Sequence, residues 1–113
     1  CGGLWEARKI AAMAETYYIS VAPHNPLGPV ATAAAIQFDF ATPNFLIQEA
    51  IRSDVPWRDE VVSNPVEVVD GKVALPTRPG LGIEVNETEA AKHPFQPEIL
   101  MQPFHRDGAV ADW

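Results

Sequence analysis

The chain has 113 residues, enough for one small packed unit, and 47% hydrophobic with 20% charged residues is a globular composition, neither disordered nor collagen-like. Fifteen acidic against eight basic residues give a net charge of -7, with no Lys/Arg cluster to track a phosphate backbone, so nucleic acid is not an expected partner. The longest mostly apolar runs, Ile10–Ala14 and Val30–Ile36, fall far short of the roughly 20 residues that span a bilayer, so no membrane partner is expected either.

Cys1 is the only cysteine, so no internal disulfide framework exists and a reducing cytoplasm is the expected compartment. Cys1-Gly2-Gly3 carries no initiator Met, basic region or apolar signal segment, and reads as a cut in a longer chain. From Leu4 to Tyr17, the residues Leu4, Ala7, Ile10, Ala11 and Ala14 recur at helical spacing, which predicts an amphipathic helix. Tyr18–Ala22 is a short β-prone run ending at Pro23, apolar enough for a parallel strand buried on both faces.

A loop, His24–Gly28, follows directly. Pro29 suits a first helical position, and the alanine-rich run Val30–Phe38 predicts a second helix. After a connector at Asp39–Pro43, Asn44–Gln48 is again a buried-type strand, with Glu49 at its C-terminal end. Helix, strand, helix, strand with short connections implies βαβ units and a parallel sheet, hence an α/β fold. Two strands alone cannot make that sheet, so partner strands from elsewhere are required.

Beyond Ala50 prolines and β-branched residues increase. Pro65–Val69, the turn Asp70-Gly71 and Lys72–Leu75 predict a β-hairpin. Pro79–Gly82 is a loop, and Asn86 with Glu89 three positions later resembles a capping arrangement for a short helix. The tail, Pro94–Trp113, shows little periodicity, and the chain has no internal repeat. The change near Ala50 divides barrel-like from appendage-like sequence.

In a parallel barrel, active sites lie at the C-terminal ends of strands, and His24 and Glu49 occupy such ends on successive strands. Prolines 23, 26 and 29 restrict the loop that carries His24, and a histidine titrates near neutral pH, as a general base requires. Taken singly, each residue is more often structural or solvated; their shared strand-end placement makes them candidates. His93 and His105 have no such placement. No pair of histidines has metal-ligand spacing, no serine lies in a nucleophile elbow, and Gly80-Leu81-Gly82 lacks the context of a dinucleotide loop.

The strings CGGLWEARKIAAMAE, APHNPLGPVATAAA, ATPNFLIQE, PTRPGLGIEV and RDGAVADW resemble, in order, the end of galactonate dehydratases, in the mandelate racemase branch of the enolase superfamily. The resemblance covers nearly the whole chain. It implies that residues 1–50 are the C-terminal part of a (β/α)8 barrel, about its seventh and eighth strands with their helices. Residues 51–113 would then be an extension packing on the barrel and returning to an α+β capping domain. It further implies that His24 takes the proton next to the substrate carboxylate and that Glu49 stabilises the enediolate-like intermediate.

The resemblance implies a small sugar acid (an aldonate) as substrate, Mg²⁺ as cofactor and a symmetric homo-oligomer. The Mg²⁺ ligands, a second histidine acting as acid and an aspartate paired with the base are expected upstream of Cys1. The 113-residue chain alone is therefore expected to be inactive. Ile51–Asp59 departs most from the pattern, leaving galactonate, gluconate and arabinonate all open as substrates. Racemisation or cycloisomerisation by the same histidine, and a non-catalytic domain of similar architecture, are the competing readings.

Overall fold

The computed structural model describes residues 1–97 and 103–111. Its first element, α1, runs Leu4–Thr16. Ala11 is buried, with Ala7 and Ala14 half-buried beside it, so the inward stripe uses the i, i+4, i+7 alanines. That stripe lies against the second helix, whereas Leu4 and Ile10, expected on the same face, are exposed.

The helix closes through Tyr17 and Tyr18: the N–H groups of Tyr17 and Ile19 both donate to the Ala14 carbonyl, and Tyr18 takes a left-handed φ of 58°. This corrects the strand expected to start at Tyr18. Extended pairing is confined to a parallel bridge between Val21 and Phe45. Val21 N–H donates to Asn44 O at 2.9 Å, and Leu46 N–H donates to Val21 O at 2.9 Å. The strand expected over Asn44–Gln48 is likewise reduced to this bridge. Parallel strands gain regularity from neighbours on both sides, and these two segments have only each other among the described residues.

Between them lies α2, Pro29–Phe40, with proline at its start as expected. It extends two residues past the expected end, so Asp39 and Phe40 belong to the last helical turn rather than to a connector. Ala33, Ile36 and Asp39 are its buried positions, three residues apart on one face. The Asn44 amide donates to Ile19 O at 2.8 Å and to Ala11 O at 3.1 Å, tying α1 to the second extended segment.

The second half is mostly loops. The Asp70-Gly71 turn forms as expected: Val69 and Lys72 exchange two 2.9 Å backbone hydrogen bonds, and φ is 50° at Asp70 and 72° at Gly71. Positive φ at both central residues is the type I′ geometry whose twist suits a hairpin. Pairing stops after that one bridge, so the flanking runs are not the strands expected. A pair missing from the sequence reading, β1 (Val62–Ser63) and β2 (Glu84–Val85), is antiparallel, with Val62 opposite Val85.

Asn86 follows, and its side chain accepts from Glu89 N–H at 3.1 Å to cap α3, Glu87–Ala90. The reciprocal half of a capping box is absent, since Glu89 pairs with Lys92 and lies 3.5 Å from His93. Trp57 stacks on His93 with ring centroids 3.9 Å apart. In the tail, a bridge joins Phe104 to Val110, while residues 98–102 and 112–113 lie outside the described residues. No helix of the described residues is long and apolar enough to cross a membrane.

A Cβ added at Gly71 meets nothing within 4 Å, so a substitution there tests backbone strain alone. Gly71→Ala is expected to cost about 1 kcal/mol, and Gly71→Asn less, because Asn tolerates left-handed φ. Urea denaturation of both variants checks the order.

Candidate active site

The bridge at Val21 and Phe45 places the chain segments that follow it side by side. Glu49 N–H reaches Pro23 O at 3.4 Å, and the Gln48 amide donates to Pro23 O at 3.1 Å and to Glu49 O at 2.5 Å. The two sequence candidates are thereby brought together: His24 Nδ1 lies 2.5 Å from Glu49 Oε2. Asn25 N–H also donates to that oxygen, at 3.3 Å. The pair is open on its outer side, with 76% of the His24 side chain and 54% of that of Glu49 exposed. With Nδ1 directed at the carboxylate, Nε2 is left as the atom that can accept a proton.

The loop beneath His24 is held by buried polar groups. Asn25 is 4% exposed, and its amide donates to Thr32 Oγ1 at 3.1 Å; Thr32 in turn donates to Gly28 O at 3.2 Å. This links the loop to the first turn of α2. Arg58 is also buried. One end of its guanidinium donates to Leu27 O, and the other lies 2.7 Å from both Asp54 oxygens. Partial desolvation pushes the Asp54 carboxyl up, but the Arg58 hydrogen bonds, backbone N–H groups and the guanidinium charge together hold it below the usual carboxylate range.

Sequence reasoning missed Asn25, Thr32, Gln48, Asp54 and Arg58. Arg58 and Asp54 are four residues apart, a spacing that signals a pair, but nothing local signals the Leu27 carbonyl. His93, left unassigned, is engaged with Trp57 and Glu89; His105 sits in the tail turn, where its N–H donates to Ala109 O. Among the described residues, no group of three or more His, Cys, Asp or Glu side chains could hold a metal ion, so these residues by themselves do not fit a Mg²⁺ site.

Comparison with known proteins extends the picture. Residues 1–90 match the family described as enolase C-terminal domain-like. A D-galactonate dehydratase family member of Streptomyces bingchenggensis is 40% identical over 99% of this chain and 28% of its own length. The D-galactonate dehydratase of Xanthomonas campestris is 38% identical over 99% of this chain and 31% of its own. The chain thus spans less than a third of these relatives. Among solved structures, a mandelate racemase/muconate lactonizing enzyme from Jannaschia sp. CCS1 superposes with a TM-score of 0.78 at 38% identity, covering 88% of this chain and 25% of that one. A Burkholderia xenovorans structure bound to magnesium and fumarate gives 0.77 at 37% identity, covering 81% and 23%.

Replacing Arg58 by Met keeps the stem but removes every guanidinium donor, leaving Leu27 O without its side-chain partner and the Asp54 carboxylate with backbone N–H groups only. Losing a charge-assisted bond of this kind opens the loop by about tenfold or more. Amide hydrogen exchange at Asn25 is expected to accelerate by that factor, with the α1 amides unchanged. Unaltered exchange at Asn25 would show that the loop is held without Arg58.

Proposed function

Since this chain belongs to the enolase C-terminal domain-like family, we propose that it supplies part of the active site of a sugar-acid dehydratase acting on galactonate or a related aldonate. The fold class is α/β, and in the enolase superfamily such helix and strand units build the (β/α)8 barrel. In the proposal, residues 1–50 are barrel and residues 51–113 an extension that packs on it. The tie from Arg58 to Leu27 O supports that packing.

The observation that carries the proposal is the His24–Glu49 contact at the ends of two parallel segments. His24, oriented through Nδ1, takes the proton from the carbon next to the substrate carboxylate at Nε2. Glu49, as a carboxylic acid, donates a hydrogen bond to the oxygen on which charge develops. Loss of the β-hydroxyl as water then leaves an enol that becomes the 2-keto-3-deoxy acid. Protonation of the departing hydroxyl is assigned to a histidine outside these 113 residues, and the aspartate paired with His24, which takes Nδ1 over from Glu49 in the complete enzyme, is likewise assigned outside them.

Mg²⁺ is part of the proposal, with its ligands among acidic residues outside this chain. A symmetric homo-oligomer in the cytoplasm completes the reading. The similarity to a mandelate racemase/muconate lactonizing enzyme supports a second one, racemisation or cycloisomerisation with His24 as the same base. Product analysis separates the two, because only dehydration yields a keto-deoxy acid.

In a complete enzyme carrying this segment, His24→Asn is expected to lower solvent-deuterium exchange at the substrate α-carbon by about 10²- to 10⁴-fold while the circular dichroism spectrum is unchanged. Retained exchange would remove His24 from the role of base. The isolated 113-residue chain is expected to show no heat of Mg²⁺ binding by calorimetry and no turnover of galactonate. Micromolar Mg²⁺ affinity would contradict the placement of the ligands outside it.

A further inference from the structure

Aspartate or asparagine followed by glycine is where a main chain most readily rearranges without an enzyme, because glycine has no Cβ to keep its amide nitrogen away from the preceding side chain. The chain has two such steps, Asp70-Gly71 and Asp107-Gly108, and no asparagine precedes a glycine. All four residues are exposed. A Cβ added at either glycine would meet nothing within 4 Å, so crowding protects neither step.

Hydrogen bonding separates the two. At the second step both reacting groups are held: Asp107 Oδ1 accepts the Ala109 N–H at 3.0 Å, and Gly108 N–H donates to His105 O at 3.0 Å. The same turn is closed further by His105 N–H donating to Ala109 O at 2.8 Å and by the bridge between Phe104 and Val110. At the first step neither group is engaged among the described residues, since the Asp70 carboxylate has no hydrogen-bond or ion-pair partner and Gly71 N–H has no acceptor. Only the bonds exchanged by Val69 and Lys72 shut that turn, and one exposed bridge opens readily.

From this contrast we infer that Asp70 is a site of spontaneous modification to isoaspartate and that Asp107 is guarded from it. The Gly71 nitrogen gives up its proton to solvent and attacks Cγ of the Asp70 carboxylic acid. The N–Cγ bond forms, the Cγ–OH bond breaks, and the hydroxyl takes up a proton and leaves as water, closing a succinimide ring. Water then adds back at either carbonyl. Addition at Cγ restores aspartate, whereas addition at the main-chain carbonyl leaves the chain running through Cγ, one carbon longer and unchanged in composition. A two-residue type I′ turn does not survive the extra carbon, so the product loses the bonds between Val69 and Lys72. Gly71 and Lys72 also line a cavity of about 410 Å³ with Phe45 and Leu46, so the change loosens the cover over the second extended segment. The inference is independent of the roles proposed for His24 and Glu49.

The 113-residue chain is kept in warm, mildly acidic buffer beside a second sample in guanidinium chloride. Both are digested and sequenced by electron-transfer dissociation, which distinguishes isoaspartate from aspartate by the backbone bond that breaks. In denaturant both steps have free amides, and their ratio of rates gives the effect of the flanking residues alone. In the native chain the ratio is expected to move about tenfold or more in favour of Asp70, the combined size of the two ordinary hydrogen bonds that hold the Asp107 step. The isolated isoaspartate form should exchange its Lys72 amide proton about tenfold faster, the loss of one such bond. A native ratio equal to that in denaturant, faster conversion at Asp107, or a native rate at Asp70 tenfold or more below its rate in denaturant would overturn the inference. In the last case the turn itself would shield Asp70.

Discussion

The parallel hydrogen bonds between Val21 and the Asn44–Leu46 backbone are the contact on which the rest of the site depends. Parallel pairing cannot be closed by a tight turn; it needs a crossover, and α2 is that crossover. Its 12 residues extend about 18 Å at 1.5 Å per residue, enough to return the chain to the start of the second segment. Once Val21 and Phe45 are in register, the residues that follow each must emerge on the same side. His24 and Glu49, 25 positions apart in sequence, meet there because of this geometry.

The pairing alone would leave the His24 loop loose, since backbone pairing fades at the long Glu49 to Pro23 contact. Three side chains continue the work. Gln48 bridges to Pro23 O, Asn25 reaches Thr32 on α2, and Arg58 reaches Leu27 O from the second half of the chain. Each satisfies a backbone or side-chain group that burial would otherwise leave orphaned. The same requirement makes Asp39 and the Oε1 of Gln48 conspicuous, because their oxygens are buried with nothing donating to them.

Apolar surface tells a parallel story. Only Ala11, Ala33, Ile36 and Val62 form the buried hydrophobic core of the described residues, while Ile19, Leu46 and Ile47 beside the parallel bridge are more than half exposed. Segments apolar on both faces are stabilised when covered on both faces. This accounts for the shrinkage of two expected strands to a single bridge, and it accords with a chain that spans less than a third of its relatives.

What the sequence by itself determined was local. Proline at the head of α2, the alanines that pack α1 on α2, the Asp70-Gly71 turn and the Asn86 cap are all set by dihedral preferences and contacts within about four residues. The parallel arrangement and the strand-end candidates followed from alternation of those local elements. Tertiary structure decided the rest. It set the antiparallel match of Val62 with Val85, the burial of Asp39 in a turn that read as a connector, and the reach of Arg58 to a carbonyl 31 residues away. In sequence, a charged residue in a polar run looks the same whether it points to water or to a buried carbonyl. Only the packing of distant segments removes the water, and with it the freedom to choose another partner.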